Sequence, residues 1–264
     1  MVEVVKTVEK AGVDFHYCEL SNESLESIAA LSDGADIIVV AGGDGTVNRI
    51  LNATYHLGKP YVVLPYGSGN DFAKTFRCPK DGEGLLKAIE GMRTSTTDLW
   101  ELNGTCVFVQ SVFVGVSIKT VEIKEELKCN SYLRPIIKAL MQYRPEHLRV
   151  YSDNATAEGD YLMVGLQNVR TACNGLKMTD CSRVDDGYIE VLLCLYGNRR
   201  RLILNLLSTK FSWVYKQPNS TVMRTKSVRI EGDYDMTYTV DGEIRRSKDI
   251  RVRLSDRKVT IVHL

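Results

Sequence analysis

No apolar run in this sequence approaches the roughly 18 residues that a membrane-crossing helix needs, and nothing at its start has the pattern of a signal peptide. A substrate held in a membrane would therefore be met at the membrane surface. Paired Cys-x-x-Cys spacing is also missing. The seven cysteines, an odd number scattered along the chain, fit reduced thiols in a cytoplasmic protein better than disulfides or zinc. Excess charge is missing as well: a net charge of +1 argues against a nucleic-acid binder that relies on bulk electrostatics. The four histidines, His16, His56, His147 and His263, show no ligand spacing and read as structural or surface groups. There is no internal repeat and no low-complexity linker, and 264 residues suffice for one large or two modest domains.

What is present centres on Ala35 to Leu51. The β-branched run Ile37-Ile38-Val39-Val40 is the pattern of a strand buried on both faces, and Gly42-Gly43-Asp44-Gly45-Thr46 ends it where a helix pattern begins. Glycines let a ligand approach bare N–H groups, and the helix points its positive end at the same spot, so an anion is expected there. Asp44 makes sense in such a loop if Mg²⁺ lies between it and a phosphate, or if it handles a proton. A plain strand-to-helix turn would need glycines too, but the string is more specific than that. A second strand, Tyr61 to Pro65, leads into Gly67-Ser68-Gly69-Asn70-Asp71 and another helix. Two such loops on neighbouring parallel strands would converge on one crevice. Ser68 offers a hydroxyl to a phosphate, while Asn70 and Asp71 by propensity alone cap the helix.

Elsewhere, Met1 to Lys10 reads as a helix, Val13 to Leu20 as a partly alternating strand, and Ser21 or Asn22 as the cap of a helix ending near Leu31. A helix is expected around Gly84 to Met92. Strands are expected over 105–116, 148–151, 161–167, 188–195, 222–230, 236–240 and 259–262, so the alternation of helix and strand gives way near Asp98 to mostly strand. In strand alternation Asp241 and Glu243 would share a face beside Gly242. Taken alone, that triplet is better explained as a hairpin turn. Two stretches mix basic and apolar residues as a lipid-facing surface would: Asn198-Arg199-Arg200-Arg201 with Leu202 to Leu207, Phe211, Trp213, Val214 and Tyr215, and Ser131 to Leu148 with Arg134, Lys138 and Arg144. Amphipathic helices packed on a sheet would look the same.

Taken in order, Gly42-Gly43-Asp44-Gly45-Thr46, Gly67-Ser68-Gly69-Asn70-Asp71-Phe72-Ala73, Thr97-Asp98-Leu99, Asp185-Asp186-Gly187-Tyr188 and Val240-Asp241-Gly242-Glu243 resemble the diacylglycerol kinase and sphingosine kinase superfamily, nearest its soluble bacterial lipid kinases. The resemblance spans nearly the whole chain. It implies an α/β fold: a three-layer NAD-kinase-like nucleotide domain, here residues 1–98, followed by a β-sandwich lipid-binding domain, 99–264, whose last residues return to the first. It implies ATP and Mg²⁺ as cofactors and a lipid hydroxyl as acceptor. Gly42, Gly43, Gly45, Thr46, Asn48, Gly67, Ser68, Gly69 and Asn70 would hold the nucleotide. Glu243 would be the general base, with Asp44, Asp98 and Asp241 beside it in the catalytic group. Arg183, Asp186 and Tyr188 match positions that hold a second, structural Mg²⁺ in some relatives, through the Asp186 carboxylate and the other two carbonyls; an ordinary turn before a strand explains them equally well. Partners would be a lipid at the inner membrane surface, met by peripheral contact from the cytoplasm, and no nucleic acid; a homodimer is left open. Arg49 stands where relatives usually carry a Glu. The family's earlier strand, ending in an Asn-Pro-x-Ser-Gly nucleotide loop, does not precede the first helix pattern, and Cys18 stands near a Thr that contacts nucleotide in relatives, so weak ATP binding is expected. A non-catalytic lipid- or nucleotide-binding relative is the alternative from another class. An NAD kinase would carry an Asn-acid pair well after the first glycine loop, and the pairs here are Asn22-Glu23 and Asn70-Asp71.

Overall fold

A computed structural model describes residues 2–128, 133–172, 174–197, 200, 214–216 and 219–264. The chain divides into two compact units, Met1–Leu99 with Asp256–Leu264, and Trp100–Ser255. The first unit runs α1 (Val2–Lys10), α2 (Leu25–Asp33), β1 (Ile38–Gly42), α3 (Asp44–Thr54), β2 (Tyr61–Pro65), α4 (Asp71–Thr75) and α5 (Gly82–Gly91), and β3 (Arg93–Leu102) carries the chain out of it. β1 and β2 are parallel, with Ile38 opposite Tyr61 and Gly42 opposite Pro65. The far end of the last strand joins them, also parallel, with Ile261 opposite Tyr61. Val62 and Leu64 of β2 and Val262 pack with Val4 and Val8 of α1 and with Leu85 and Ala88 of α5. Covering of both faces is why β2 reads as an unbroken apolar run.

Two local expectations are corrected in this unit. Val13 to Leu20 forms no strand. Val13 and Phe15 pack against the same core from an extended segment without a ladder neighbour among the described residues. The cap of α2 is Ser24 rather than Ser21 or Asn22: its hydroxyl accepts the Ser27 N–H at 3.1 Å.

The second unit contains β4 (Cys106–Phe108), β5 (Ser111–Gly115), α6 (Val116–Leu127), α7 (Leu133–Gln142), β6 (Glu146–Ser152), β7 (Thr156–Gln167), β8 (Thr171–Ala172), β9 (Leu176–Lys177), β10 (Ile189–Leu195), β11 (Ser220–Thr225), β12 (Ser227–Val240) and most of β13 (Glu243–His263). β7 and β12 each pair with both β5 and β6, all antiparallel, and β10 extends the ladder from β7 to β11. The result is a β-sandwich filled by Trp100, Phe108, Val112, Val164, Leu166, Val191, Ile230 and Val240. The alternate residues Phe113, Met163, Leu192 and Cys194 point the other way and are covered by Ile123 of α6 and Ala139 and Leu140 of α7. A strand expected over 105–116 is broken into β4 and β5, and α6 follows at once. In α6 the buried Val116, Thr120 and Ile123 recur at helical spacing. Among the described residues, no helix is long and apolar enough to cross a membrane. Of the first basic-apolar stretch, 198, 199 and 201–213 lie outside the described residues, and Val214 and Tyr215 pack against the core beneath α6 and α7. α7 in the second stretch turns Ile136, Ala139 and Leu140 to that core, with Met141 exposed.

Candidate active site

β1 ends at Gly42, and α3 starts two residues later at Asp44, with Gly43 at its N-cap and so no side-chain cap there. Its leading N–H groups are therefore available to an anion, with the positive end of the helix behind them. Gly45 and Thr46 lie in that first turn, half-exposed. The loop after β2 comes up against this one. A Cβ on Gly67 would lie 2.4 Å from the Gly43 Cα, and one on Gly43 would lie 2.9 Å from the Gly67 Cα, so only two glycines allow the loops to touch. Ser68 is exposed and Gly69 half-exposed on the same loop.

Asp44 ties the loops together. Its two carboxylate oxygens accept the N–H groups of Asp71 at 3.3 Å and Phe72 at 3.1 Å, the first turn of α4. Asn70, expected by propensity to cap α4 with its side chain, sits at the N-cap position with φ 54° and makes no such bond. It instead closes its own loop: Oδ1 accepts the Gly67 N–H at 2.8 Å and Nδ2 donates to the Gly67 carbonyl at 2.6 Å. Capping falls to an acid 27 residues upstream, because Asp44 is held where those N–H groups point. Each Asp44 oxygen keeps a lone pair beyond these bonds, and the residue is half-exposed, so its chemistry suits a phosphate-bound Mg²⁺. Asn48 lies on the buried side of α3 at 1% exposure. Arg49 reaches the Glu23 carbonyl at 3.3 Å, a link to the start of α2.

Asp98 is fully buried and carries the Lys258 ammonium 2.8 Å from its Oδ1. Its carboxylate thus meets a cation supplied by the returning C-terminal segment, a partner that nothing local to Asp98 signals. In the second unit, Asp241 and Gly242 are the two turn residues between β12 and β13, with φ 45° and 92°, so Val240 faces Glu243 across the hairpin. Asp241 is therefore off the strand face that alternation assigns to it. Its buried carboxylate accepts three N–H groups, from Val109 at 3.1 Å, Gln110 at 3.1 Å and Ser111 at 2.8 Å. Glu243 is half-exposed, and its contact is with Arg245 at 3.4 Å. Within this hairpin, Asp241 is the anchor and Glu243 the accessible carboxylate.

The group Arg183, Asp186 and Tyr188 lies before β10, and its one carboxylate is held by protein partners. Asp186 Oδ1 accepts the Tyr188 N–H at 3.1 Å, and its other oxygen is paired with the Arg224 guanidinium. Arg183 is exposed. Among the described residues, no group of three or more His, Cys, Asp and Glu side chains could hold a metal. Arg224, like Lys258, is a residue sequence reasoning passed over. Its position opposite Glu190 on β11 depends on strand register, which local patterning does not fix.

An α/β unit with two touching glycine loops, followed by a β-sandwich, defines an NAD-kinase-like class of phosphotransferase fold. The chain belongs to the lipid kinase family built from the diacylglycerol kinase catalytic domain, which matches residues 1–102, and the YegS C-terminal NAD kinase beta sandwich-like domain, which matches residues 110–263. It is 26% identical over 263 residues to the Klebsiella pneumoniae (strain 342) protein named "Probable lipid kinase YegS-like", covering 96% of this chain and 87% of that one. It is also 26% identical over 257 residues to the diacylglycerol kinase of Staphylococcus carnosus (strain TM300), covering 91% of this chain and 82% of the relative. A solved diacylglycerol kinase structure from Bacillus anthracis str. Sterne shares the fold with a TM-score of 0.74 at 16% identity, over 100% of this chain and 90% of that one. An NAD kinase from Archaeoglobus fulgidus, solved with ATP, is more distant in fold, with a TM-score of 0.52 at 11% identity over 98% of this chain and 87% of that one.

Proposed function

We propose that this chain transfers the γ-phosphate of ATP to a hydroxyl of a diacylglycerol-like lipid, met at a membrane surface. The observation that carries the reading is the contact of Gly43 with Gly67, which brings two bare-backbone loops and the uncapped start of α3 together around Asp44. Phosphoryl transfer asks a protein for positioning and charge neutralisation more than for covalent help, and N–H groups, glycines and a carboxylate supply both. Mg²⁺, when bound with ATP, would neutralise phosphate charge, and Asp44 is the acid suited to meet it. The N–H groups of Gly45 and Thr46 and the hydroxyl of Ser68 orient phosphate oxygens. Glu243 takes the proton of the lipid hydroxyl as that oxygen bonds to the γ-phosphorus and ADP leaves. Asp241 positions Glu243 by fixing the hairpin turn, and Asp98 acts at a distance by holding Lys258.

The test is transfer of radiolabelled phosphate from ATP to diacylglycerol in mixed micelles, with and without Mg²⁺. Transfer should require both Mg²⁺ and lipid, and Glu243→Gln should lower turnover roughly 10²- to 10⁴-fold while leaving the melting temperature in place. A folded protein with no labelled lipid over a panel of diacylglycerols, ceramides and sphingoid bases would sink the kinase reading. Full turnover in Glu243→Gln would remove Glu243 as the base.

A further inference from the structure

The resemblance places a structural Mg²⁺ at Arg183, Asp186 and Tyr188, and a guanidinium already meets the Asp186 carboxylate there. Asp186 Oδ1 accepts the Tyr188 N–H at 3.1 Å, and its Oδ2 is paired with Arg224 Nη2. The same guanidinium turns its Nε to Glu190 Oε1 at 3.4 Å. It also lies over the Tyr188 ring, 4.2 Å from the ring centre, with the Lys226 ammonium 5.2 Å from that centre. Strand register builds this arrangement, since Glu190 of β10 is directly opposite Arg224 of β11. Glu190 is fully buried, with the Arg224 guanidinium and the Ser182 hydroxyl as its polar neighbours. Burial raises the Glu190 carboxyl above its ordinary range, and the adjacent guanidinium opposes that by favouring the charged form.

We propose that Arg224 takes the place of the structural metal of some relatives: its guanidinium bridges Asp186 and Glu190, ties the turn before β10 to β11, and frees the second unit from divalent cations. The planar fork of an arginine carries its charge at every physiological pH and can address two carboxylates and a ring face together. A Mg²⁺ would need near-octahedral oxygen ligands at about 2.0–2.1 Å. With the guanidinium against Asp186, one carboxylate oxygen and one direction of approach are already lost. The proposal concerns the second unit and does not depend on the lipid kinase reading.

Thermal melts of the whole chain, without nucleotide, test it. The midpoint of the unmodified protein should be the same in EDTA and in millimolar Mg²⁺, Ca²⁺ or Mn²⁺. Arg224→Met should melt several degrees lower in EDTA and recover part of that loss in millimolar divalent cation, because Asp186 and Glu190 are then two carboxylates without their cation. The double variant Arg224→Met/Asp186→Asn should show no recovery. Manganese binding followed by electron paramagnetic resonance gives a readout that survives if Arg224→Met folds poorly: the unmodified chain should have no Mn²⁺ site that Asp186→Asn removes. The proposal is overturned by an Asp186-dependent Mn²⁺ site in the unmodified chain, by loss of its stability in EDTA that Asp186→Asn abolishes, or by an Arg224→Met protein whose lost stability no divalent cation restores.

Discussion

Replacing Asp44 with asparagine keeps one of the two oxygens that accept the N–H groups of Asp71 and Phe72, and loses the charge. The cap on α4 is weakened rather than removed, so Asp44→Asn should cost about 1 kcal/mol or less of stability. Phosphoryl transfer should fall roughly 100-fold or more, as for other preorganised groups aimed at transition-state charge. The lipid phosphorylation assay beside a thermal melt checks both halves, and retained turnover in the folded variant would end the assignment. Asp241 should behave in the opposite way. Its carboxylate is the acceptor for the Val109, Gln110 and Ser111 N–H groups, and a buried donor left without an acceptor costs about 1–3 kcal/mol. Asp241→Ala should therefore destabilise the second unit by about 3 kcal/mol or more, a midpoint shift on the order of 10 °C by calorimetry. An unchanged midpoint would mean that water replaces the carboxylate. Both assignments rest on partners far away in sequence: Asp44 meets α4 27 residues on, and Asp241 meets Ser111 130 residues back. The sequence marks each residue as important but carries no local sign of which acid is the anchor and which is open to a ligand.

At the scale of elements, apolar patterning is readable where both faces of a strand are covered, as in β2 and β10, and the glycine strings locate the site loops, whereas β1, expected to be buried on both faces, leaves Val39 exposed. The patterning fails where charge lines a strand. β13 runs from Glu243 to His263 through Arg245, Arg246, Lys248, Asp249, Arg251 and Arg253, a composition that reads as loop. Cross-strand and neighbouring pairs make it a strand: Arg229 lies 3.3 Å from Asp249, and Arg251 lies 2.7 Å from the same carboxylate. The strand expected over 222–230 is divided into the end of β11 and the start of β12. Asp153 is what breaks it, accepting the Thr225 hydroxyl at 2.8 Å and the N–H groups of Lys226 at 2.8 Å and Ser227 at 3.2 Å. Hydrogen bonds from the Ser227 and Thr225 hydroxyls, with those from the backbone, lower the Asp153 carboxyl from 3.8 to about 2. A carboxyl depressed by folding adds stability that is complete above its unfolded value and is lost as the pH falls through its folded value. The contribution of Asp153 should therefore be intact above about pH 4 and fade between about pH 4 and 2. Asp153→Asn should lower the midpoint at neutral pH and flatten the acid limb of a melting-temperature profile in that window. Parallel acid limbs for the two proteins would refute this.

On the scale of the whole molecule, the two units differ in how the chain builds them. Trp100–Ser255 is continuous, while the first unit needs Asp256–Leu264 to complete it. That closing segment supplies the strand beside β2, with Val259 at 4%, Ile261 at 1% and Val262 at 0% exposure, and it supplies Lys258 to the buried Asp98 at 2.8 Å. Burial of three such side chains contributes roughly 5–9 kcal/mol at about 1.5–3 kcal/mol each, comparable with the whole stability of a domain. Ending the chain at Ser255 should therefore unfold the first unit and leave the second with its core intact. Calorimetry should show the transition of the first unit lost and that of the second kept, and limited proteolysis should degrade residues 1–99 while sparing a fragment near 100–255. If the shortened chain instead keeps a protease-resistant 1–99, β1 and β2 with their helices suffice without the returning strand, and Asp98 tolerates the loss of Lys258.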